Sequence, residues 1–273
     1  MASSAKKLIP NVLSIAGVDP SGGAGILADV KAMSACGCYG MAAITALTAQ
    51  NTCAVDGVQM VSTDFIRMQL ESIFRDVKVH AVKIGMLGTV RVIRRVASVL
   101  QRNPVSHVVL DPVMIAKSGD RLLRVEAIDA IRSELLPLAT VITPNLPEAC
   151  ALFDQPEVST REGMLHLFRA ITAQLPKQCH LYLKGGHLLG DRLVDVFGDE
   201  QQIQTIGRNR IHTKNTHGTG CTLSAAIASY LALGYSHVQA FQLAQEYIYQ
   251  AIVHADALEV GHGHGPTNHF WKK

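Results

Sequence analysis

Short apolar runs that close on a polar or glycine residue alternate along this chain with segments whose apolar positions recur at helical spacing. Val12-Leu13-Ser14-Ile15-Ala16-Gly17 reads as a buried strand, and Ile26, Leu27, Val30 and Met33 mark the helix after it. Ala42 to Ala49 predicts a second strand that ends in Gln50-Asn51-Thr52. Phe65, Met68, Leu70 and Ile73-Phe74 give 64–76 the apolar face of a helix. Further strands follow at 81–87, 108–114, 141–143 and 180–184, with helices at 126–136 and from Pro147 onward. Asn145 stands where a cap belongs, with Pro147 and Glu148 in the first turn. The alternating runs 193–197 and 203–206 are bounded by turn residues and predict an antiparallel edge hairpin. Two helices close the chain, one after Gly220 and one from His237 to about Leu258.

No linker, repeat or low-complexity break interrupts the pattern. The expectation is one α/β domain spanning 1–273, a mostly parallel sheet with helices on both faces and an antiparallel edge. In such a sheet ligands bind beyond the carboxyl ends of the strands. Asp19, Gln50, Asp111, Asn145, Glu148 and Lys184 all fall at strand ends and can converge there. Ile115 to Asp120 reads as a mobile polar loop beside them.

The richest stretch is Thr216-His217-Gly218-Thr219-Gly220-Cys221-Thr222-Leu223-Ser224. A glycine-bracketed turn that feeds a helix offers unpaired backbone N–H groups and the positive end of the helix dipole, which suits an anion. Cys221 falls in that first turn, where the dipole is expected to lower a thiol pKa. Gly17 to Gly25 is a second glycine-rich loop, although it carries neither common phosphate-binding fingerprint. A tight turn that lets helix and strand pack closely explains it equally well. Taken singly, Glu148 reads as a dipole partner and Met86 as a gap-filling core residue.

Three functions fit these parts. An anion cradle, acids able to hold Mg²⁺ through water and a lysine beside a glycine pair suit phosphoryl transfer. A thiol at a helix start could instead be an acyl-transfer nucleophile with His217 or another histidine as its base. A ligand-binding module without catalysis is the third. Composition excludes others: Lys plus Arg number 25 against 22 for Asp plus Glu, too even for a nucleic-acid surface. No apolar run reaches the ~20 residues of a membrane span, and the polar N-terminus lacks a signal-peptide core. Six cysteines without zinc-type pairing predict free thiols and a cytoplasmic protein. Cys36, Cys38, Cys53, Cys150 and Cys179 read as packing residues, and His262, His264 and His269 as polar groups of a closing loop.

The blocks Ala16–Gly25, Thr45–Thr52, Lys83–Leu87, Asp111–Met114, Thr143–Ala149, Leu183–His187 and Asn215–Ser224 occur in one order along nearly the whole chain, before a closing Val260–Pro266. Together they resemble the ribokinase-like kinases and, within them, the hydroxymethylpyrimidine/phosphomethylpyrimidine kinases of thiamine biosynthesis. The resemblance implies a three-layer α/β/α fold and a two-step kinase that uses ATP and Mg²⁺. Its substrate would be 4-amino-5-hydroxymethyl-2-methylpyrimidine and then the monophosphate. It also implies that Gln50 reads the pyrimidine, with Gly17, Asp19, Met86 and Val113 completing the pocket. Asn145, Glu148, Lys184 and Gly220 would face the nucleotide, with Asp111 and Glu148 toward the metal. Gly218, Thr219, Gly220 and Cys221 would form the catalytic turn, with Cys221 where sugar kinases carry an aspartate base. Lys117 would lie in a loop over the substrate, and a homodimer is the usual assembly.

Overall fold

The computed structural model describes residues 8–114, 126–186, 188 and 190–272. The first half of the chain runs β1 (Asn11–Val18), α1 (Gly25–Ala35), β2 (Tyr39–Gln50), β3 (Val55–Met60), α2 (Thr63–Asp76), β4 (Ala81–Ile84), α3 (Val90–Arg102) and β5 (His107–Leu110). It continues as α4 (Glu126–Ala130), β6 (Val141–Ile142), α5 (Leu146–Phe153), α6 (Arg161–Thr172), β7 (His180–Leu183), β8 (Arg192–Gly198), β9 (Ile203–Asn209), α7 (Thr219–Ala232) and α8 (His237–Val253). Between α4 and β6 the helix tightens through a π turn (Ile131–Leu135) and a 3₁₀ turn (Leu136–Leu138).

The strands form one sheet in the order β3-β2-β1-β4-β5-β6-β7-β8-β9. Neighbours from β2 to β7 are parallel, whereas β3 pairs antiparallel at one edge and the β8–β9 hairpin at the other. Alternation along each strand builds the layers. Leu13, Val82, Leu110, Ile142 and Leu181 pack on one face with Ile66, Ile93, Val96, Leu152 and Phe168 from α2, α3, α5 and α6. Val12, Ala81, Val109, Val141 and Tyr182 face the other way, onto Met33, Ile227, Phe241 and Ile248 from α1, α7 and α8. The result is the expected three-layer α/β/α arrangement. Small residues let α7 lie deep in it: Thr222 through Ser229 are buried without a break.

β3, α3 and α6 have no counterpart among the elements read from the pattern. The strands at 81–87 and 108–114 leave the sheet at Ile84 and Leu110, so Gly85–Leu87 and Asp111–Met114 become site loops. The last helix ends at Val253 and passes into a 3₁₀ turn over Ala255–Ala257. All six cysteines are free, and Cys53 is exposed rather than packed. His269 is buried and stands 3.0 Å from Thr222 Oγ1, so it belongs to the interior and not to a polar loop. Among the described residues no helix is long and apolar enough to cross a membrane.

Candidate active site

Strand order reverses direction at β1, which has β2 on one side and β4 on the other. Such a switch point opens a crevice at the carboxyl ends of the strands. A cleft of about 740 Å³ lies there, lined from end to end by sequence-predicted residues: Gly17, Asp19, Gln50, Met86, Asp111, Val113, Asn145, Glu148, Lys184 and Gly218 to Cys221. That volume suits a small-molecule ligand. Lys117 and His187 fall outside the described residues.

Gly218 caps α7 in the left-handed region at φ 76, and a Cβ there would lie 1.8 Å from the Gly23 carbonyl oxygen. Only glycine fits. The two glycine-rich loops are therefore pressed together, and the N-terminal amides of α7 open onto the cleft. A Cβ on Gly25, the first residue of α1, would lie 2.3 Å from the Gly17 carbonyl oxygen in β1, so the reading of Gly17–Gly25 as a turn that packs helix closely on strand holds.

On one side of the cradle Asp111 is gripped by three groups. Lys184 Nζ donates to its Oδ1 at 3.1 Å, Thr143 Oγ1 to the same oxygen at 3.2 Å, and Ser224 Oγ stands 3.1 Å from Oδ2. Burial pushes the Asp111 carboxyl up, but the Lys184 and Lys83 ammoniums outweigh it and hold the group ionised. Glu148 Oε2 lies 3.8 Å from Lys184 Nζ. It also accepts from the Asn145 backbone N–H at 2.8 Å, while Asn145 Oδ1 accepts from Glu148 N–H at 2.8 Å. This is a capping box. Burial, with Asp111 as a like charge, raises the Glu148 carboxyl against the pull of Lys184. A Cβ on Gly220 would lie 3.3 Å from Lys184 Nζ, so the cradle and this charge cluster face each other.

The rest of the site differs in character. A Cβ on Gly17 would sit 2.7 Å from Met86 Cε, and Thr45 Oγ1 donates to the Met86 carbonyl at 2.7 Å. Asp19 is turned inward: Ser21 N–H, Ser21 Oγ and Ala24 N–H donate to it at 2.9, 2.7 and 3.0 Å, and His217 Nε2 lies 2.7 Å away. Its acceptor sites are taken up within the loops, while the residue still lines the cleft.

Cys221 departs from expectation. Burial raises its thiol to about 11 even though Lys83 opposes the shift, so the helix dipole does not yield a reactive thiolate. His217 is committed to Asp19 through Nε2. A thiol held protonated and a histidine already engaged argue against acyl transfer.

Two groups escaped the sequence reading. Lys83 lines the cleft from beneath and is fully buried with Asp29. Asp195 accepts from Gly185 N–H at 2.8 Å and from Tyr182 Oη at 2.8 Å, fixing the turn that carries Lys184. Lys83 sits in a strand run between apolar neighbours, which was its one visible signal. Asp195 had none, because it looks like the polar half of an alternating hairpin strand.

A parallel sheet with antiparallel edges, and a glycine-bracketed helix start facing a lysine–carboxylate cluster, define a ribokinase-like small-molecule kinase fold. The phosphomethylpyrimidine kinase profile matches residues 19–268. Hydroxymethylpyrimidine/phosphomethylpyrimidine kinase of Salmonella typhimurium is 49% identical over 261 residues, covering 95% of this chain and 97% of its own. The phosphomethylpyrimidine kinase structure from Clostridium difficile superposes with TM-score 0.78 at 41% identity, covering 89% of this chain and 99% of its own. Pyridoxal kinase from Staphylococcus aureus in complex with ADP gives TM-score 0.88 at 33% identity, covering 97% and 95%. The chain belongs to the phosphomethylpyrimidine kinase family.

Proposed function

We propose that this protein is the two-step kinase of thiamine biosynthesis. It phosphorylates 4-amino-5-hydroxymethyl-2-methylpyrimidine on its hydroxymethyl oxygen and then converts the monophosphate to the diphosphate, with ATP as donor. The observation that carries the reading is the cleft itself. Its glycine-bracketed cradle faces Lys184, Asp111 and Glu148, while Gln50 and Met86 line the same cleft.

Residues 1–273 act as one kinase domain. Gln50 reads the aminopyrimidine edge, because an amide both donates and accepts. Gly17, Met86 and Val113 shape the pocket around the ring, with Asp19 bracing it. Asn145, Glu148, Lys184 and Gly220 face the nucleotide. The Gly218, Thr219 and Gly220 amides and the Lys184 ammonium meet the charge on the moving phosphoryl group. The acceptor oxygen bonds to the γ-phosphorus as the bridge to ADP breaks. Its proton leaves late, onto Cys221 Sγ in the small fraction of the enzyme whose thiol is deprotonated. A thiolate of raised pKa is a strong acceptor but scarce at neutral pH, which suits a loose transfer that asks little of its base.

The donor set fits Mg²⁺. Among the described residues no three His, Cys, Asp or Glu are grouped to hold a metal by themselves. Asp111 and Glu148 share one lysine, and two carboxylates plus substrate phosphates are the usual protein share of a magnesium site. When bound, the ion would neutralise phosphate charge. The protein is expected to be cytoplasmic and to work as a homodimer. Exposed Leu47, Val58, Phe65 and Met68 on β2, β3 and α2 support the dimer.

Incubation with ATP-Mg²⁺ and, separately, the pyrimidine, its monophosphate and pyridoxal tests the assignment. ADP and the successive phosphates from the first two are expected. Turnover of pyridoxal alone would overturn the substrate, and ADP from none would overturn the kinase reading.

A further inference from the structure

Around Gln50 the hydrogen-bond chain is over-determined. Burial raises the Asp19 carboxyl, but hydrogen bonds from His217 and Ser21 outweigh burial and keep it below the usual carboxylate range. An ionised carboxylate only accepts. His217 Nε2, 2.7 Å from Asp19 Oδ2, must therefore carry a proton, whether the ring is neutral or cationic. That nitrogen has no lone pair left for a second donor. Yet one end of the Gln50 amide lies 3.5 Å from it.

The other end of the amide lies 3.2 Å from Thr48 Oγ1. The single hydroxyl proton of Thr48 has a firm acceptor in the Val18 carbonyl at 2.9 Å. Thr48 Oγ1 is thus left to accept. An amide's oxygen and nitrogen are alike in shape, so the network decides which is which. With oxygen toward His217 and nitrogen toward Thr48, the amide nitrogen donates to Thr48 Oγ1, and the amide oxygen faces the Nε2 proton, which stays bonded to Asp19, as a second and weaker acceptor at 3.5 Å. The reverse opposes N–H to N–H at one end and lone pair to lone pair at the other.

We propose that the Asp19–His217 pair and Thr48 lock the Gln50 amide with its oxygen toward His217 and its nitrogen toward Thr48, and that this lock sets preference for an amino over an oxo group on the substrate ring. The inference rests on the proposed role of Gln50 in reading the pyrimidine. The locked amide still offers a lone pair on the His217 side and an N–H on the Thr48 side. A 4-aminopyrimidine presents a donor and an adjacent ring acceptor, which match. The 4-oxo analogue presents an acceptor and an adjacent ring N–H, which match only the reversed amide. A freely turning glutamine would bind both. Asp19, His217 and Thr48 are positioning residues in this account.

The test compares kcat/KM for the 4-aminopyrimidine alcohol and its 4-oxo analogue in the wild type, Thr48→Val and His217→Phe. The ratio is expected to fall about tenfold in each variant, since a site built for one hydrogen-bond pattern rejects the other only while it is held. Equal loss on both substrates, with the ratio unchanged, would reduce these residues to structural supports and overturn the lock. ¹⁵N NMR of histidine-labelled wild-type protein reads the same point without turnover or variants. A protonated Nε2 on His217 is expected, and an unprotonated Nε2 would overturn the amide orientation. Should the wild type phosphorylate neither pyrimidine, the substrate reading fails, while the NMR result still decides the orientation.

Discussion

Lys83 and Asp29 form an ion pair with both side chains completely buried, Nζ lying 2.9 Å from Oδ2. Ser14 Oγ donates to the same carboxylate at 2.6 Å. Removing one partner of such a pair strands a charge in the interior, whereas removing both does not. Lys83→Met is expected to lose about 3–5 kcal/mol in urea unfolding. The double variant Lys83→Met/Asp29→Leu should recover most of it. Similar stabilities for the single and double variants would refute the coupling.

The same lysine acts on Cys221. With its thiol raised to about 11, Cys221 should alkylate slowly at neutral pH and faster with each unit of pH. Peptide mapping after iodoacetamide treatment measures this. Cys221→Ala is expected to lower kcat by roughly a hundredfold or more while KM for ATP moves little. Unchanged turnover would remove Cys221 from the mechanism.

Lys184 bridges Asp111 and Glu148. Lys184→Met leaves two facing carboxylates, so both ATP affinity and kcat are expected to fall, in total by ~10³-fold in kcat/KM. Because Glu148 would lose its opposing cation, its carboxyl should rise further and the acid limb of the rate profile should move upward in pH. A profile that keeps its acid limb would argue that Lys184 does not govern Glu148.

Far from the cleft, the His180 and His237 rings stack at 3.8 Å, and His107 meets His237 edge-on at 6.3 Å. His107 Nδ1, His180 Nδ1 and His237 Nε2 are buried without hydrogen-bond partners. Burial lowers all three rings, His237 to about 4 with its histidine neighbours adding to the effect, while Asp199 pulls His180 the other way. Folded-state values below the unfolded ~6.5 mean the unfolded chain binds more protons under that pH. The contribution of these histidines to stability is therefore complete above ~6.5 and is lost as pH drops toward 4. Thermal melts across this window should show the slope, and His237→Asn should flatten it.

A hydrophobic pattern reports which face of an element is buried, so Leu13 against Val12 or Val82 against Ala81 was readable in advance. So was the cap at Asn145, whose reciprocal bond with Glu148 needs only three residues of sequence. Edge strand β3 was not, because exposed Asp56, Val58 and Gln59 give Val55–Met60 little apolar alternation. Thr160 and Thr89 do cap α6 and α3, but lone threonines before apolar positions are weak signals. Within the site, residue types marked the phosphate side. Pairings such as Asp19 with His217, 198 positions apart, exist only once the fold brings two loops together. The Cys221 thiol misled for the same reason: the dipole is local, whereas the burial that overrides it is not.

The buried course of α7 divides the site into two unequally constrained halves. Residues that would meet the phosphates begin a helix enclosed by the core, so they can scarcely change without unsettling the whole sheet. Gln50 and Thr48 instead ride on β2 near the sheet's edge, beside a strand that buries little. New acceptor preferences can arise in that margin while the transferring machinery stays fixed, and a pyridoxal kinase sharing this fold is the kind of outcome such an arrangement permits.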